Sequence, residues 1–514
     1  MEPLVQTKTG PVRGQIHDGV ASFLGIPYAA SPTGELRFAA PVPHEPWTDV
    51  LDATAFGPTP PKPAYPAPFD RLLEEPSIAG DEWLNLNVWT PSEARGFDSA
   101  RLPVMVWIHG GAFANGNSAV PWYNGHAFAK AGVVLVSINY RLGVDGFALL
   151  PDAPANRGLL DQIAALEWVR DNIGSFGGDP ANVTIFGESA GAMSVITLMS
   201  LPRAQGLFTK AIAQSGAVQA AADPADAALV TAELGVALRA VLADIGLADM
   251  GLADMGLAGA DVTAAGLSGV GLDALIAAQA KVRDALGADP NPARFGASVV
   301  ASSMPFIPVI DGDLIAEHPL TAIAGGAGST VTLLIGTNAE EFRLFLVPPG
   351  TADQITADAL PFVAGAIGAG QGVISTYQAN RPNASPGDIF AALLTDKFFR
   401  LPALAVAQAR SGGPAATYFY EFGWGHPPIG AGHSLEIPFV FDNLATAAAD
   451  LVIGADPPQD LADEMNSTWV RFATTANPGW PAFDGSRPVR IFDADGGSIE
   501  HDPRGDERAI WPAG

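Results

Sequence analysis

The chain contains no cysteine, which excludes disulfide bonds, thiolate metal sites and cysteine nucleophiles. Basic residues are also scarce: 27 Lys and Arg stand against 54 Asp and Glu, so the formal net charge is −27. A field of this sign repels nucleic acids and anionic membrane surfaces, and we expect neither as a partner. No apolar run approaches the length that crosses a membrane.

The segment Met1–Lys8 lacks the basic and apolar regions of a secretory signal peptide, so we expect a cytoplasmic location. Charged residues make up 16% of the 514 residues and hydrophobic residues 48%. This balance favours a large globular body over a disordered chain.

Apolar segments typical of strands alternate with a helical pattern along the chain. Apolar residues recur at helical spacing in Asn156–Ile173. The predicted strands are Val104–Ile108, Val133–Ile138, Val183–Phe186, Ala211–Gln214, Val331–Ile335 and Ala416–Phe422. This alternation predicts an α/β fold with a mostly parallel central sheet flanked by helices. Ligands of such sheets bind beyond the carboxyl ends of the strands.

No linker rich in charge or in Pro and Ser divides the chain, so we predict one domain over residues 1–514. We interpret the region around 220–300 as an insertion that forms part of a cap. Inside it, residues 242–257 repeat a five-residue unit, Leu-Ala-Asp-Met-Gly with small variations. That period fits neither a helix nor a strand, and we expect a surface segment.

A serine lies on a tight turn between a predicted strand and a predicted helix. The sequence is Gly187-Glu188-Ser189-Ala190-Gly191, directly after Val183–Phe186. This context is typical of a nucleophile elbow, in which the strained turn exposes the serine hydroxyl above a sheet. We therefore predict that Ser189 is a nucleophile.

A serine hydroxyl needs a neighbouring base, and in hydrolases with this elbow the order along the chain is serine, acid, histidine. The histidines after Ser189 are His318, His426, His433 and His501. His433 is favoured because it lies in a glycine-rich loop beyond the strand that ends near Phe422. His426 lies in the same loop and is its main rival, although two prolines directly after it indicate a structural turn.

The candidate acids are Glu340 and Glu341, which follow the predicted strand Val331–Ile335. The residues alone leave both open, because only one of two adjacent side chains can point inward.

A candidate oxyanion hole follows the strand Val104–Ile108, where the chain reads His109-Gly110-Gly111. Glycines allow the backbone N–H groups to approach a developing negative charge. We predict that the N–H groups of Gly110, Gly111 and Ala190 form this site.

Together with these residues, further segments resemble the type B carboxylesterase family, which also contains the cholinesterases. The likeness covers nearly the whole chain and is weakest over 220–300. The family-like segments are Phe23-Leu24-Gly25-Ile26-Pro27-Tyr28-Ala29, Asp81-Glu82-Trp83-Leu84-Asn85-Leu86-Asn87-Val88, Asn139-Tyr140-Arg141-Leu142-Gly143 and Phe176-Gly177-Gly178-Asp179-Pro180.

The resemblance implies an α/β-hydrolase fold with cap or lid insertions and a serine hydrolase that cleaves carboxylic esters. It assigns Ser189 as nucleophile, His433 as base and Glu341 as orienting acid, with no cofactor and no metal. It also suggests Glu188 and Ser215 as supporting groups. The alternatives are an amidase or lactone hydrolase on the same residues, or a non-catalytic cholinesterase-like binding protein. The natural ester and the oligomeric state do not follow from the sequence.

Overall fold

A computed structural model describes residues 2–94, 101–244, 262–446 and 449–511 of the chain. Most of the repeat predicted at 242–257 lies outside these residues. The described strands form a three-stranded and an eleven-stranded sheet. They are β1 (Leu4–Gln6), β2 (Pro11–Arg13), β3 (Gln15–His17), β4 (Val20–Pro27), β5 (Leu51–Asp52), β6 (Asn85–Pro91), β7 (Leu102–Ile108), β8 (Val134–Ile138), β9 (Gly178–Glu188), β10 (Lys210–Gln214), β11 (Thr332–Asn338), β12 (Thr417–Phe422), β13 (Pro488–Phe492) and β14 (Ser498–His501).

Helices occupy most of the connections between these strands. The α-helices are α1 (Phe69–Leu72), α2 (His126–Lys130), α3 (Gly143–Phe147), α4 (Arg157–Asn172), α5 (Ala190–Ser200), α6 (Pro224–Asp244), α7 (Ala264–Ser268), α8 (Leu272–Ala288), α9 (Pro292–Phe295), α10 (Ala297–Ser302), α11 (Pro319–Ala324), α12 (Arg343–Leu346), α13 (Thr351–Gln354), α14 (Leu360–Ala366), α15 (Gln371–Asn380), α16 (Pro386–Thr395), α17 (Leu401–Ala409), α18 (Ile437–Val440), α19 (Ala449–Ile453), α20 (Gln459–Thr475) and α21 (Gly505–Ile510). A single turn of π-helix, called the π-turn below, spans Asp396–Arg400. The 3₁₀ turns are Gly34–Leu36, Pro121–Tyr123, Ile173–Phe176 and Pro202–Ala204.

The large sheet has the strand order β14-β13-β12-β11-β10-β9-β7-β8-β6-β4-β3. Strands β8, β7, β9, β10, β11, β12 and β13 are parallel to their neighbours in that order. The pairs at the two margins are antiparallel. The predicted mostly parallel sheet is therefore confirmed.

Alternate side chains of the parallel strands enter two apolar cores, one on each face of the sheet. In β7, Val104, Val106 and Ile108 belong to one core, and Met105 and Trp107 belong to the other. Helices α4 and α5 contribute to the first core, and α18 and α20 contribute to the second. Covering both faces with helices removes the parallel strands from water, which accounts for the apolar segment at the centre of each of them.

All six strands predicted from the sequence are present, with ends shifted by a few residues. The largest extension is in β9, which begins at Gly178 because that residue pairs with Leu102 of β7. The predicted helix Asn156–Ile173 corresponds to α4 (Arg157–Asn172).

Helices α6 to α10 lie in the predicted insertion, between β10 and β11. The assignment of residues 1–514 to one domain with a cap around 220–300 stays a prediction. Within the described ranges, no helix is long and apolar enough to cross a membrane.

Candidate active site

Ser189 stands alone between the last residue of β9 and the first residue of α5. Its backbone has φ 54° and ψ −122°, a region that residues with a Cβ atom rarely adopt. Its N–H donates to the carbonyl of Gln214 at 2.9 Å, which ties this turn to the end of β10. The serine therefore occupies a strained turn at the carboxyl edge of the sheet.

Two glycines let the neighbouring backbone approach this turn. A Cβ atom at Gly191 would lie 2.0 Å from the carbonyl oxygen of Ile108, so α5 could not pack this closely against β7 with a larger residue. A Cβ atom at Gly110 would lie 2.7 Å from Oε2 of Glu188 and 3.2 Å from Cβ of Ser189. The loop after β7 therefore packs directly against the serine turn.

The imidazole of His433 binds a buried carboxylate. His433 is only 4% exposed, and its Nδ1 lies 2.6 Å from Oε2 of Glu341. The second oxygen, Oε1 of Glu341, accepts the N–H of Asn338 at 2.8 Å. The N–H of His433 also donates to the carbonyl of Glu341 at 3.1 Å. These contacts join the loop after β12 to the loop after β11.

The neighbouring carboxylate points elsewhere. The side chain of Glu340 is 46% exposed and lies 3.7 Å from Nε of Arg343. It also accepts the N–H of Ala431 at 3.0 Å. Of the two adjacent acids that the residues alone left open, the fold brings Glu341 to the imidazole.

The other ring nitrogen of His433 faces a second carboxylate. Its Nε2 lies 3.1 Å from Oε1 of Glu188, the residue before the serine. The same oxygen accepts the hydroxyl of Ser434 at 2.7 Å. Within the part of the chain that the structure describes, the hydroxyl of Ser189 makes no hydrogen bond. The structure thus brings the imidazole of His433 to the serine turn but pairs its Nε2 with Glu188.

These carboxylates determine the charge of the imidazole. Burial opposes the charged form of His433, but the negative charges of Glu188 and Glu341 outweigh it and raise the pKa of His433 to about 9. Burial also raises the pKa of Glu188 above its ordinary range. Shifted pKa values of several buried groups within one cluster are typical of active sites.

Glu436 was not identified from the sequence, yet this buried residue lies in the same cluster. Its Oε2 accepts a hydrogen bond from Nδ2 of Asn338 at 2.7 Å, and its Oε1 accepts one from Nε2 of Gln214 at 3.1 Å. Burial raises its pKa, and the charge of Glu341 adds to the effect. An acid directly between Leu435 and Ile437 was the available signal, because apolar neighbours on both sides suggest a buried position.

The other predicted groups lie apart from the imidazole or add little to it. The ring of His426 packs beside Gly454, where a Cβ atom would lie 2.6 Å from its Cε1. His318 caps α11 by accepting the N–H of Leu320 at 3.2 Å. Ser215 follows β10, and its buried hydroxyl has no hydrogen-bond partner among the described residues.

A cavity opens beside the serine turn and reaches the loop after β7. The segment containing Tyr65 and Glu75 closes one side, and Glu75 accepts the N–H of Gly116. The cavity is lined by Tyr65, Leu73, Glu74, Glu75, Gly110, Gly111, Gly116, Val120, Trp122, Tyr123, Glu188, Ser434 and Ile437. Aromatic walls with a few converging polar groups are typical of small-molecule sites. Within residues 2–94, 101–244, 262–446 and 449–511, no group of three His, Asp or Glu side chains is arranged to hold a metal ion.

The sequence also matches a known family over most of its length. The model of the carboxylesterase family matches residues 1–490. The chain belongs to the carboxylesterase family. Its relatives include proteins named carboxylesterases, which are carboxylic ester hydrolases, and this chain is an enzyme of that class.

Individual relatives cover almost all of the chain. It is 38% identical to the para-nitrobenzyl esterase of Bacillus subtilis, over 98% of this chain and 97% of that protein. It is 32% identical to the fumonisin B1 esterase of Sphingopyxis macrogoltabida, over 96% of this chain and 87% of that protein. The crystal structure of carboxylesterase EST55 from Geobacillus stearothermophilus superposes with a TM-score of 0.80 at 34% identity, over 99% and 100%. The sheet and its flanking helices are thus an α/β-hydrolase fold.

Proposed function

We propose that this carboxylesterase works through an acyl-enzyme intermediate, with Ser189 as nucleophile, His433 as base and Glu341 as orienting acid. The observation that carries the proposal is the 2.6 Å contact between Nδ1 of His433 and the buried Glu341, beside the strained turn of Ser189. A carboxylate on Nδ1 keeps the proton there and leaves Nε2 to accept one.

In the first half of the reaction, Nε2 of His433 takes the hydroxyl proton of Ser189 while Oγ attacks the ester carbonyl. His433 then gives that proton to the departing alcohol, and the acyl group stays on Oγ. In the second half, His433 deprotonates water, which attacks the acyl-enzyme and releases the carboxylic acid and the free serine. Glu341 stays ionised throughout and stabilises the imidazolium.

The oxyanion of each tetrahedral intermediate is bound by the N–H groups of Gly110, Gly111 and Ala190. The position of Gly110 supports this role, since even a Cβ atom there would lie 3.2 Å from Cβ of Ser189, so the loop runs close to the nucleophile. Ala190 is the first residue of α5, where backbone N–H groups lack helical acceptors. One such donor is typically worth about 3–4 kcal/mol of transition-state stabilisation.

The reaction needs Nε2 of His433 to leave Glu188 and face the hydroxyl of Ser189. Glu188 and Ser189 are adjacent residues, so we expect a change of the imidazole or of the serine rotamer to let the hydroxyl of Ser189 donate to Nε2 in place of the contact with Glu188. Catalytic hydrogen bonds are often loose in a free enzyme and tighten when substrate binds. Substrate therefore completes the arrangement.

The substrates we propose are esters of small molecules, as the names of the relatives suggest. The net charge of −27 disfavours anionic esters at long range. A cytoplasmic location stays a prediction from the sequence.

Covalent labelling tests the mechanism directly. A fluorophosphonate should add one adduct to the wild-type protein, measured by intact mass, and none to Ser189→Ala. The same substitution should lower kcat for p-nitrophenyl acetate by roughly four to six orders of magnitude. Ser467→Ala is the control, because this serine is exposed on α20, where its hydroxyl donates to the carbonyl of Glu464 at 3.0 Å, and we expect normal labelling.

An unlabelled wild-type protein, or a Ser189→Ala variant within tenfold of wild-type activity, contradicts the proposal. Two further assays separate an esterase from an amidase or a lactone hydrolase. One uses the p-nitroanilide of acetic acid, and the other uses a simple lactone.

A further inference from the structure

A π-turn interrupts the helical run between α16 and α17. It spans Asp396–Arg400, directly after α16 ends at Thr395 and before α17 begins at Leu401. A π-turn inserts one extra residue, which changes the direction of the side chains around it, and it is frequent at functional sites. None of the sequence motifs used above includes this segment.

One residue of the turn packs on the imidazole of the proposed base. The ring of Phe399 lies 4.7 Å from that of His433, centroid to centroid, with 42° between the planes. Phe345 lies 5.2 Å from the same ring. Phe399 is only 7% exposed, so its position is well packed. Aromatic contacts at these distances restrict ring orientation.

The end of α16 also reaches the loop that carries the proposed acid. The hydroxyl oxygen of Thr395 accepts the N–H of Phe342 at 3.1 Å, and Phe342 directly follows Glu341. The ring of Phe342 lies 5.8 Å from that of Phe399. The segment from Thr395 to Phe399 therefore contacts the base and the residue next to its acid.

A buried ion pair within the turn holds this arrangement. Nε of Arg400 lies 2.6 Å from Oδ1 of Asp396, and both side chains are 4% exposed. The hydroxyl of Tyr377 donates to Asp396, and Nη1 of Arg400 donates to the carbonyl of Pro503 at 3.1 Å. Buried charges are tolerated only in good geometry with further hydrogen bonds, and this network favours one conformation of the turn.

We propose that Phe399 is a positioning residue for His433, presented by a π-turn that the Asp396–Arg400 ion pair fixes. The inference rests on the proposed function, because it takes the imidazole to be the base. Once Nε2 leaves Glu188 for the serine, the contact between Nδ1 and Glu341 fixes one point of the ring but leaves its tilt free. Phe399 limits the tilt, so that Nε2 stays directed at the serine turn.

This role predicts a loss in the chemical step with little change in substrate binding. We expect Phe399→Leu to lower kcat for p-nitrophenyl acetate by about 10- to 100-fold, since small misplacements of a reacting group have effects of this size. We expect KM to stay within about threefold. Phe399→Tyr keeps the aromatic face and should retain most of the activity.

Phe398→Leu is the matched control, because its ring belongs to the same turn and contacts Phe342 but not the imidazole. We expect its kcat to stay within about threefold of wild type. Phe399→Met is measured beside Phe399→Leu, so that poor folding of one variant still leaves a result. Far-UV circular dichroism and thermal unfolding check that each variant is folded.

Three outcomes overturn the inference: an unchanged kcat in Phe399→Leu and Phe399→Met, an equal loss in Phe398→Leu, or a rise in KM in place of the fall in kcat. Failure of the proposed function would appear differently, as an active Ser189→Ala variant.

Discussion

At the carboxyl edge of the sheet, Glu188, Glu341 and Glu436 are buried around a single imidazole, and we call them the glutamate cluster. At the π-turn, Asp396 is buried against Arg400, and near it Glu421 pairs with Arg504 through both carboxylate oxygens. We call these four residues the arginine cluster. Both regions bury carboxylates, but only the second supplies a permanent cation for each.

The pKa values separate the two clusters. Burial opposes ionisation of Asp396, but the charge of Arg400 outweighs it and lowers the pKa of that carboxyl. Burial of Glu188 and Glu436 is not offset in this way, and their pKa values rise. Permanent ion pairs make a region rigid and chemically inert, whereas carboxylates that share one titratable partner produce groups able to exchange protons near neutral pH.

The largest effect that distinguishes the proposed acid is expected from Glu341→Gln. An amide cannot stabilise the imidazolium and can donate to Nδ1, which favours the wrong tautomer. We expect kcat for p-nitrophenyl acetate to fall by about three to four orders of magnitude. The control is Glu340→Gln, in which the amide oxygen can still accept a hydrogen bond from the N–H of Ala431. We expect its kcat to stay within about threefold of the wild-type value. Equal losses in both variants would remove the distinction between the two acids.

The arginine cluster is tested by stability. Asp396→Asn leaves the buried guanidinium of Arg400 without its counter-charge, and we expect a loss of about 3–5 kcal/mol in the free energy of unfolding. Glu233→Gln is the comparison, because it breaks a partly exposed pair with Arg294 and should cost less than about 1 kcal/mol. Chemical denaturation measures both. A loss below about 1 kcal/mol in Asp396→Asn would show that the buried pair does not stabilise the fold.

The smallest effect is expected from Glu188→Gln and concerns pH dependence. His433 acts as a base only when neutral, so a pKa of about 9 makes kcat/KM fall as the pH drops below that value. Removing Glu188 removes a charge that raises the pKa of His433. The acid limb, which is the fall of kcat/KM on the acidic side of its pH profile, should therefore move to lower pH by about one unit or more.

Glu74→Gln is the control for this shift, since it removes an exposed carboxylate from the rim of the same cavity. We expect its limb to coincide with that of the wild type. An acid limb that stays in place in Glu188→Gln would mean that Glu188 does not set the charge of the imidazole.

The central fold was predictable because its signals are local. Strands β7 to β12 each contain a predominantly apolar segment, and α4 has a regular apolar stripe, so each pattern appears within one short window. The marginal strands were not predicted. Strand β5 has two residues and exists only because Leu51 pairs with Val12, far away in the chain.

The site was predictable where a residue's role depends on its own turn. Ser189 directly follows β9 and Gly110 lies two residues after the end of β7, and their neighbours show the steric requirement of a tight crossing. Glu436 and Phe399 gave no comparable signal. Glu436 accepts hydrogen bonds from Asn338 and Gln214, and Phe399 packs on His433. These contacts join segments that are remote in the chain and that no sequence window contains.

The sequence by itself determined the central strands, α4, the family, and the turn on which the serine lies, because periodicity and steric crowding act between near neighbours. The spacing of the residues left Glu340 and Glu341 open, and the tertiary structure shows that Glu341 contacts His433, that Nε2 faces Glu188, and that the pKa of the imidazole is raised. Burial and charge interactions depend on distances between residues that are remote in the chain, and only folding sets those distances.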